Sequence, residues 1–208
     1  LVSSTAVSLS FARLSQQPQG GDNQDDALAC GILLAWSVMS LRVLLMVGIV
    51  YLPLLASLWP AIGAMALVTL ALAAYFYRRA PQLQANSATS VSNPFSLVAA
   101  IKFGALFAAI LLLVKLTERY AAQEGLYVLA AVAGLTDVDA ITLSMAEYAR
   151  QSVDGLGLAA TAIIIAALSN TLVKCGLVFF LGGRALANKL LLATLMILTV
   201  GTITLWWV

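Results

Sequence analysis

The sequence contains no histidine, and only 10% of its residues are charged. The absence of histidine removes the commonest zinc and copper ligand and the side chain that most often transfers protons near neutral pH. Soluble domains carry about a quarter charged residues, so this composition excludes a water-soluble fold. Any metal or proton chemistry in this chain must therefore use carboxylates.

Basic clusters and paired cysteines are also missing. The formal net charge is +2, and the lysines and arginines are scattered, which indicates no nucleic-acid partner. Cys30 and Cys175 each lie inside an apolar run without neighbouring ligand residues. That setting is typical of small buried side chains rather than of a disulfide or a metal site. The composition therefore implies no cofactor.

Long apolar runs dominate what is present, and 62% of the residues are apolar. Several runs reach the length of about 20 residues that a helix needs to cross the hydrocarbon core. We predict an all-α fold, a polytopic transmembrane helix bundle that contacts the lipid bilayer. The expected spans are 27–50, 61–77, 95–116, an interrupted one from 125, 156–181 and 185–207. A polar loop is expected at 16–26, and a tight turn after residue 50, with breaks near Pro53 and Pro60. Because the chain opens at Leu1 inside an apolar stretch, we expect a truncated first segment.

The chain also contains an internal repeat. A polar linker, residues 81–94, separates a first half, residues 1–80, from a second half, residues 95–208. The segment from Leu1 aligns with the segment from Leu135, and farther along Ala35, Ser37 and Arg42 align with Ala167, Ser169 and Lys174. Many transporters consist of such repeats, with the substrate site at broken helices between them. A duplicated packing unit without a transport role is the alternative.

Two acids lie inside the interrupted span, Asp137 and Asp139. An ionised carboxylate at membrane depth must be paired, neutralised or near water, and we predict a break in the helix near Gly134. Two interpretations follow. Thr136 could act as an N-cap with Asp139 three residues later, in a capping box. Alternatively, the acids bind a cation or a proton, because irregular backbone at membrane depth is tolerated mainly where it lines a cavity.

Other polar side chains accompany these acids. Asn170 and Lys174 lie four residues apart and share a helix face. Lys174 is expected either to pair with one aspartate or to stand where a bound cation would otherwise lie. In the first half, Arg42 takes the place of Lys174, and two hydroxyl residues replace the acids. The candidate ion-binding residues are Asp137, Asp139, Asn170, Thr136, Lys174, Ser3, Thr5 and Arg42, and the metal candidates among them are Asp137 and Asp139.

Four segments together resemble a known family. They are LVSSTAVSLSFAR at 1–13, NPF at 93–95, GLTDVDAIT at 134–142 and SNTLVK at 169–174. The combination is similar to the C-terminal membrane domain of bacterial MgtC/SapB-type proteins and covers nearly the whole chain. The resemblance implies a multi-pass protein of the bacterial inner membrane that lacks here its MgtC-like N-terminal membrane portion. It connects the chain to magnesium only loosely.

The leading hypothesis is a transport or channel-like domain for a small ion. Hard oxygen ligands favour Mg²⁺, another cation or a proton, with proton coupling as a variant. The alternative is a regulatory or assembly module that transports nothing and binds other membrane proteins, or a second copy of itself, through faces of small residues. We expect no enzyme, because aspartyl proteolysis requires acids from two helices, whereas both acids here come from one segment.

Overall fold

In the computed structural model, the described residues are 3–16, 22–80, 123–152 and 155–207, with Ala108, Leu112 and Leu113 as isolated positions. This part of the chain forms seven α-helices and no strand, which confirms the all-α prediction. The predicted linker at 81–94 and the predicted span at 95–116 lie outside the described residues, apart from the three isolated positions. The helices are α1 (Ser4–Leu14), α2 (Asp22–Val50), α3 (Leu52–Arg79), α4 (Gln123–Thr136), α5 (Val138–Gln151), α6 (Gly155–Leu181) and α7 (Arg184–Thr204), followed by a 3-10 turn at Leu205–Trp207.

Four of the helices, α2, α3, α6 and α7, are long and apolar enough to cross a membrane. Large apolar side chains cover their outer faces, with Ile49, Leu67 and Phe180 among the most exposed. A continuous apolar surface of this kind is stable against lipid and not against water. The chain is therefore a membrane protein whose outer surface contacts a lipid bilayer.

The predicted break near Gly134 is confirmed. Helix α4 ends at Thr136 and α5 begins at Val138, with Asp137 between them in extended backbone at φ −154° and ψ 129°. The hydroxyl of Thr136 donates to the carbonyl of Ala133 at 2.8 Å, so this side chain belongs to α4. The prediction that Thr136 caps the next helix is wrong, because Asp137 takes the N-cap position.

The tight turn predicted after residue 50 is present, but the break predicted near Pro60 is wrong. Tyr51 alone separates α2 from α3, and α3 continues through Pro60. Pro53 lies in the first turn of α3, where a helix has no partner for the backbone N–H that proline lacks. Pro60 lies inside the helix, where neighbouring helices in a membrane bundle can compensate the lost hydrogen bond. Proline therefore marks the start of this span but not its end.

The predicted polar loop at 16–26 is shorter than expected. Helix α2 already begins at Asp22. Asp26 is buried and forms an ion pair with Lys189 of α7, with 2.7 Å between Nζ and Oδ1. Lys189 lies in the second turn of α7, which begins three residues after α6 ends. The start of α2 therefore lies beside the end of α6, and these two helices run in opposite directions.

The helix bounds follow the internal alignment. Helices α1 and α5 begin at Ser4 and Val138, which the alignment places at the same position. It also matches Leu52, where α3 begins, with Arg184, where α7 begins. The division of the chain into two related units stays a prediction.

Close backbone contact holds the broken segment against α6. A Cβ on Gly134 would lie 2.8 Å from the Cα of Ala166, which is closer than two such atoms can approach. Only glycine allows α4 and α6 to pack at this distance. The break that follows Gly134 is therefore fixed beside the middle of α6.

Candidate functional site

A cavity of about 580 Å³ lies between α1, α2, α6 and the break between α4 and α5. Both halves of the chain contribute to it. It brings together every site residue predicted from the sequence, although they are separated by up to about 170 positions along the chain. Its lining consists of Ser3, Ser4, Thr5, Ala35, Val38, Met39, Arg42, Thr136, Asp137, Val138, Asp139, Asn170 and Lys174.

Two short helices begin at this cavity. Helix α1 starts at Ser4 and α5 starts at Val138, so the first turns of both face the same space. The N-terminus of a helix carries unpaired N–H groups and a partial positive charge. The longer helices α2 and α6 contribute side chains from their interiors rather than from their ends. The cavity therefore combines two helix starts with the polar positions of two spans.

Both acids are engaged within the protein. Asp139 forms an ion pair with Arg42 of the first half, and the Nε of Arg42 donates to Oδ1 of Asp139 at 3.2 Å. The Asp139 side chain is only 8% exposed, whereas that of Arg42 is 34% exposed. Asp137 accepts a hydrogen bond from the backbone N–H of Asp139 at 3.1 Å and so caps α5. The capping interpretation therefore describes Asp137, and the pairing interpretation describes Asp139.

Lys174 does not make the predicted ion pair with an aspartate, since Arg42 occupies that position at Asp139. The Lys174 side chain is 1% exposed. Its Nζ donates to the hydroxyl of Ser4 at 2.7 Å and contacts the sulphur of Met39 at 2.6 Å. Within the described ranges, no carboxylate lies at ion-pair distance from this ammonium group. Asp137 lines the same cavity and interacts with Lys174 through its charge. A buried cation without a direct ion pair is costly at membrane depth, so this position favours a negative group in contact with it.

Asn170 is 4% exposed and joins α6 to the break. Its Nδ2 donates to the carbonyl of Gly134 at 2.9 Å, which fixes the orientation of the amide, because the opposite orientation would place two acceptors together. Its Oδ1 has no hydrogen-bond partner among the residues that the structure describes. An acceptor left in this state destabilises a buried site by about 1–3 kcal/mol unless something donates to it. The cavity thus contains an acceptor that is free to take a donor.

The hydroxyl residues lie at the start of α1. Ser3 is the N-cap residue but makes no hydrogen bond to the first turn through its side chain. Thr5 lines the cavity two residues later. In the alignment these positions match Asp137 and Asp139, so the two helix starts occupy matching positions and differ in chemistry. One carries carboxylates and the other carries only hydroxyls.

Two polar or polarisable lining residues were missed by reasoning from the sequence. Ser4 and Met39 hold Lys174 in place, and neither differs from its neighbours in any way that marks it as part of a site. Ser4 lies between the predicted site residues Ser3 and Thr5, and this position in the sequence could have identified it. For Met39 the signal was its position three residues before Arg42, on the same helix face.

The described residues contain no group of three or more His, Cys, Asp or Glu that could hold a metal ion. Asp137 and Asp139, the predicted metal candidates, supply two carboxylates, one of which is bound to Arg42. Mg²⁺ requires near-octahedral oxygen coordination, so these two side chains would hold it only with several waters. Magnesium binding remains a prediction.

A second cavity, of about 970 Å³, opens on the outer side between α3 and α7. Its walls are mostly apolar, and the Asp26–Lys189 ion pair and Arg79 lie among the lining residues. The guanidinium of Arg79 lies 4.7 Å above the ring of Tyr75. This cavity shares no lining residue with the first one, so the predicted site residues define the first cavity alone.

The four long apolar helices define a polytopic membrane protein. Residues 1–182 match the model of a family described as a domain of unknown function, DUF4010. The chain belongs to this family. An uncharacterized protein from Aquifex aeolicus (strain VF5) is 30% identical over 185 residues, which are 88% of this chain and 79% of that protein. No solved structure matches. Neither match mentions MgtC/SapB-type proteins, so that resemblance and the bacterial inner membrane remain predictions.

Proposed function

We propose that the chain is a membrane transport domain that moves a small ion through the cavity between its two halves. One observation carries the proposal. Polar and charged side chains from both halves, including the starts of two short helices, meet at one cavity inside the spans. Polar groups are rare and costly at this depth, and broken helices there are tolerated where they line a substrate path.

The charges of the cavity favour proton coupling over a divalent cation. Arg42 and Lys174 formally balance Asp137 and Asp139, so the site has no excess negative charge to attract Mg²⁺. Asp139 can take a proton only by releasing Arg42. Asp137 forms a hydrogen bond within its own segment and no ion pair among the described residues, so a proton can bind there without breaking a contact between the halves. Asp137 is therefore the proposed proton-binding residue.

An enzyme fits this geometry less well. Proteolysis by two aspartates requires their carboxyl groups to share one water molecule and a proton. Here Asp139 is bound to a guanidinium, and the side chain of Asp137 caps the helix that carries Asp139. The proposal is therefore transport without catalysis. The motif resemblance supports a position in the bacterial inner membrane, beside an MgtC-like portion of the same protein.

The first experiment asks whether water reaches the cavity. In a background with Cys30→Ala and Cys175→Ala, the variant Thr5→Cys is treated with a membrane-impermeant thiosulfonate in sealed vesicles. Because this reaction requires a hydrated thiolate, we expect modification at least ten times faster than in the matched variant Ala140→Cys, which is fully buried outside the cavity. Equal rates would contradict a water-connected site.

The second experiment measures flux. Purified protein is reconstituted into vesicles that contain a pH-sensitive or a Mg²⁺-sensitive dye, and an ion gradient is applied. We expect proton flux above that of empty vesicles, and a loss of at least tenfold in Asp137→Asn. If neither ion moves and Thr5→Cys stays unreactive, the transport proposal fails and an assembly module that binds other membrane proteins becomes the better interpretation.

A further inference from the structure

We propose that the cavity binds a small carboxylate at the start of α1, against Lys174. This inference rests on the proposed function, because it names the class of solute that the transport site takes. The chemistry of the carboxylate is set by two groups that the protein leaves incompletely paired, the ammonium of Lys174 and the amide oxygen of Asn170.

The second half of the chain shows what a complete site of this type contains. At the start of α5, Asp137 occupies the N-cap position and accepts a backbone N–H, and Asp139 pairs with Arg42 of the opposite half. A helix start, a cation from the other half and carboxylates are all present. The carboxylate of Asp139 is therefore paired within the protein, without a ligand.

The start of α1 has the first two of these components and lacks the third. Ser3 is the N-cap and forms no side-chain bond to the first turn, and Lys174 reaches across from the opposite half to Ser4. The alignment places Ser3 and Thr5 where α5 has its two aspartates. Helix starts bind carboxylates through their free N–H groups and partial positive charge. A carboxylate from a solute would give Lys174 the direct ion pair that Arg42 makes with Asp139 in the second half.

Burial supports an anion at this position independently of the helix start. Lys174 is 1% exposed, and its described contacts are a hydroxyl and a thioether. Neither contact carries a negative charge. The ion pair at Arg42 already uses Asp139, so that carboxylate is not available to Lys174. Asp137 interacts with Lys174 through its charge but is not at ion-pair distance, so an incoming carboxylate would supply the direct ion pair that this buried ammonium group lacks.

Asn170 extends the description of the solute. Its Oδ1 is buried at the same cavity and has no donor among the described residues, while its Nδ2 is held by Gly134. A solute that places a hydroxyl or an ammonium group next to its carboxylate could donate to this oxygen. Hydroxy acids and amino acids share this chemistry, and the volume of about 580 Å³ accommodates small members of either class.

The test is thermal unfolding of the full chain in detergent, followed by tryptophan fluorescence. The probes are the sodium salts of L-lactate and acetate, and L-alanine, with sodium chloride as the control for ionic strength. A ligand that binds the folded state raises the midpoint temperature in a saturable way. We expect a saturable rise with L-lactate or L-alanine, binding at least ten times weaker with acetate, and no saturable rise with chloride.

Variants identify the groups responsible. Lys174→Met should weaken carboxylate binding at least tenfold, whereas Arg184→Gln, which removes an exposed cation outside the cavity, should not change it. Ser3→Asp places in α1 the carboxylate that α5 has, and it should abolish the shift. Ser3→Asn has the same size without the charge and should retain more affinity than Ser3→Asp. Asn170→Ala should remove the preference for L-lactate over acetate.

The two proposals can fail separately. Flux of protons with no saturable response to any carboxylate would overturn the carboxylate site and leave transport standing. Saturable binding that depends on Lys174, in a protein without flux, would support the site and overturn transport. A response to carboxylates that is equal in Lys174→Met and in the unchanged chain would also overturn the site, because the binding would then lie elsewhere.

Discussion

Arg42 and Lys174 occupy matching positions in the two halves, and each reaches the start of the other half's short helix. Arg42 of α2 pairs with Asp139 in the first turn of α5. Lys174 of α6 donates to Ser4 in the first turn of α1. The exchange is reciprocal in position but unequal in chemistry, since one contact joins opposite charges and the other joins a cation to a hydroxyl. This inequality underlies the predictions for the site.

The Arg42–Asp139 ion pair should contribute to stability mainly by preventing an unpaired charge. In Arg42→Met, the carboxylate of Asp139 stays buried without its partner, and we expect the free energy of unfolding to fall by about 2 kcal/mol. The loss is smaller than the roughly 3–5 kcal/mol of a fully buried pair because the Arg42 side chain is 34% exposed. Chemical unfolding in mixed micelles measures it.

The double variant is the control for this prediction. Adding Asp139→Asn to Arg42→Met removes the unpaired charge and should restore at least half of the lost stability. The two substitutions should therefore be strongly non-additive. Additive losses would contradict a direct interaction between the two side chains.

Two substitutions of Asp137 distinguish its role as a helix cap from the role of its charge. Asparagine is as good an N-cap as aspartate, so Asp137→Asn should leave the free energy of unfolding nearly unchanged. Asp137→Ala should lower it by about 1 kcal/mol, because the N–H of Asp139 loses its acceptor. Proton flux should fall in both variants. Flux retained in Asp137→Asn with loss only in Asp137→Ala would assign this residue a capping role alone.

Gly134 should tolerate no side chain. In Gly134→Ala, the new methyl group meets the backbone of Ala166, and α4 must move away from α6. We expect a loss of about 1–3 kcal/mol in unfolding free energy, together with weaker positioning of Asn170, which donates to the Gly134 carbonyl.

Gly176→Ala is the matched control, because a Cβ at Gly176 meets nothing within 4 Å. Alanine favours helix over glycine by about 1 kcal/mol, so this variant should be neutral or more stable. If the two variants lose equal stability, backbone flexibility rather than the α4–α6 contact explains the glycine.

The Asp26–Lys189 pair tests the opposed directions of the halves. Reversing one charge, as in Asp26→Lys, places like charges together and should lower the midpoint temperature of unfolding in vesicles or micelles. Reversing both, as in Asp26→Lys with Lys189→Asp, should recover most of the loss, because the two side chains lie 2.7 Å apart at their charged atoms. A double variant no more stable than Asp26→Lys alone would contradict this contact and the helix directions inferred from it.

Reasoning from the sequence selected residues that line one cavity, because a membrane makes polar residues informative. Asp137 lies three residues after Gly134, inside an apolar run. Both a break in the helix and a cavity could therefore be expected there. The alignment between the halves then identified Arg42, Ser3 and Thr5, which composition alone would not have singled out. The structure places all of them at the same cavity.

Reasoning from the sequence failed where the outcome depends on which neighbour is nearer in space. It expected Lys174 to pair with an aspartate, but Arg42 reaches Asp139 from the other half. It also expected a break near Pro60, whereas packing against other helices keeps α3 continuous there. Both outcomes are set by tertiary contacts between distant residues, and local propensity does not encode them.

The reciprocal placement of Arg42 and Lys174 links the two ends of the cavity mechanically. Sliding of one half past the other would pull each cation away from the opposite helix start in the same step. Release at Asp139 and release at Ser4 would then be one event rather than two.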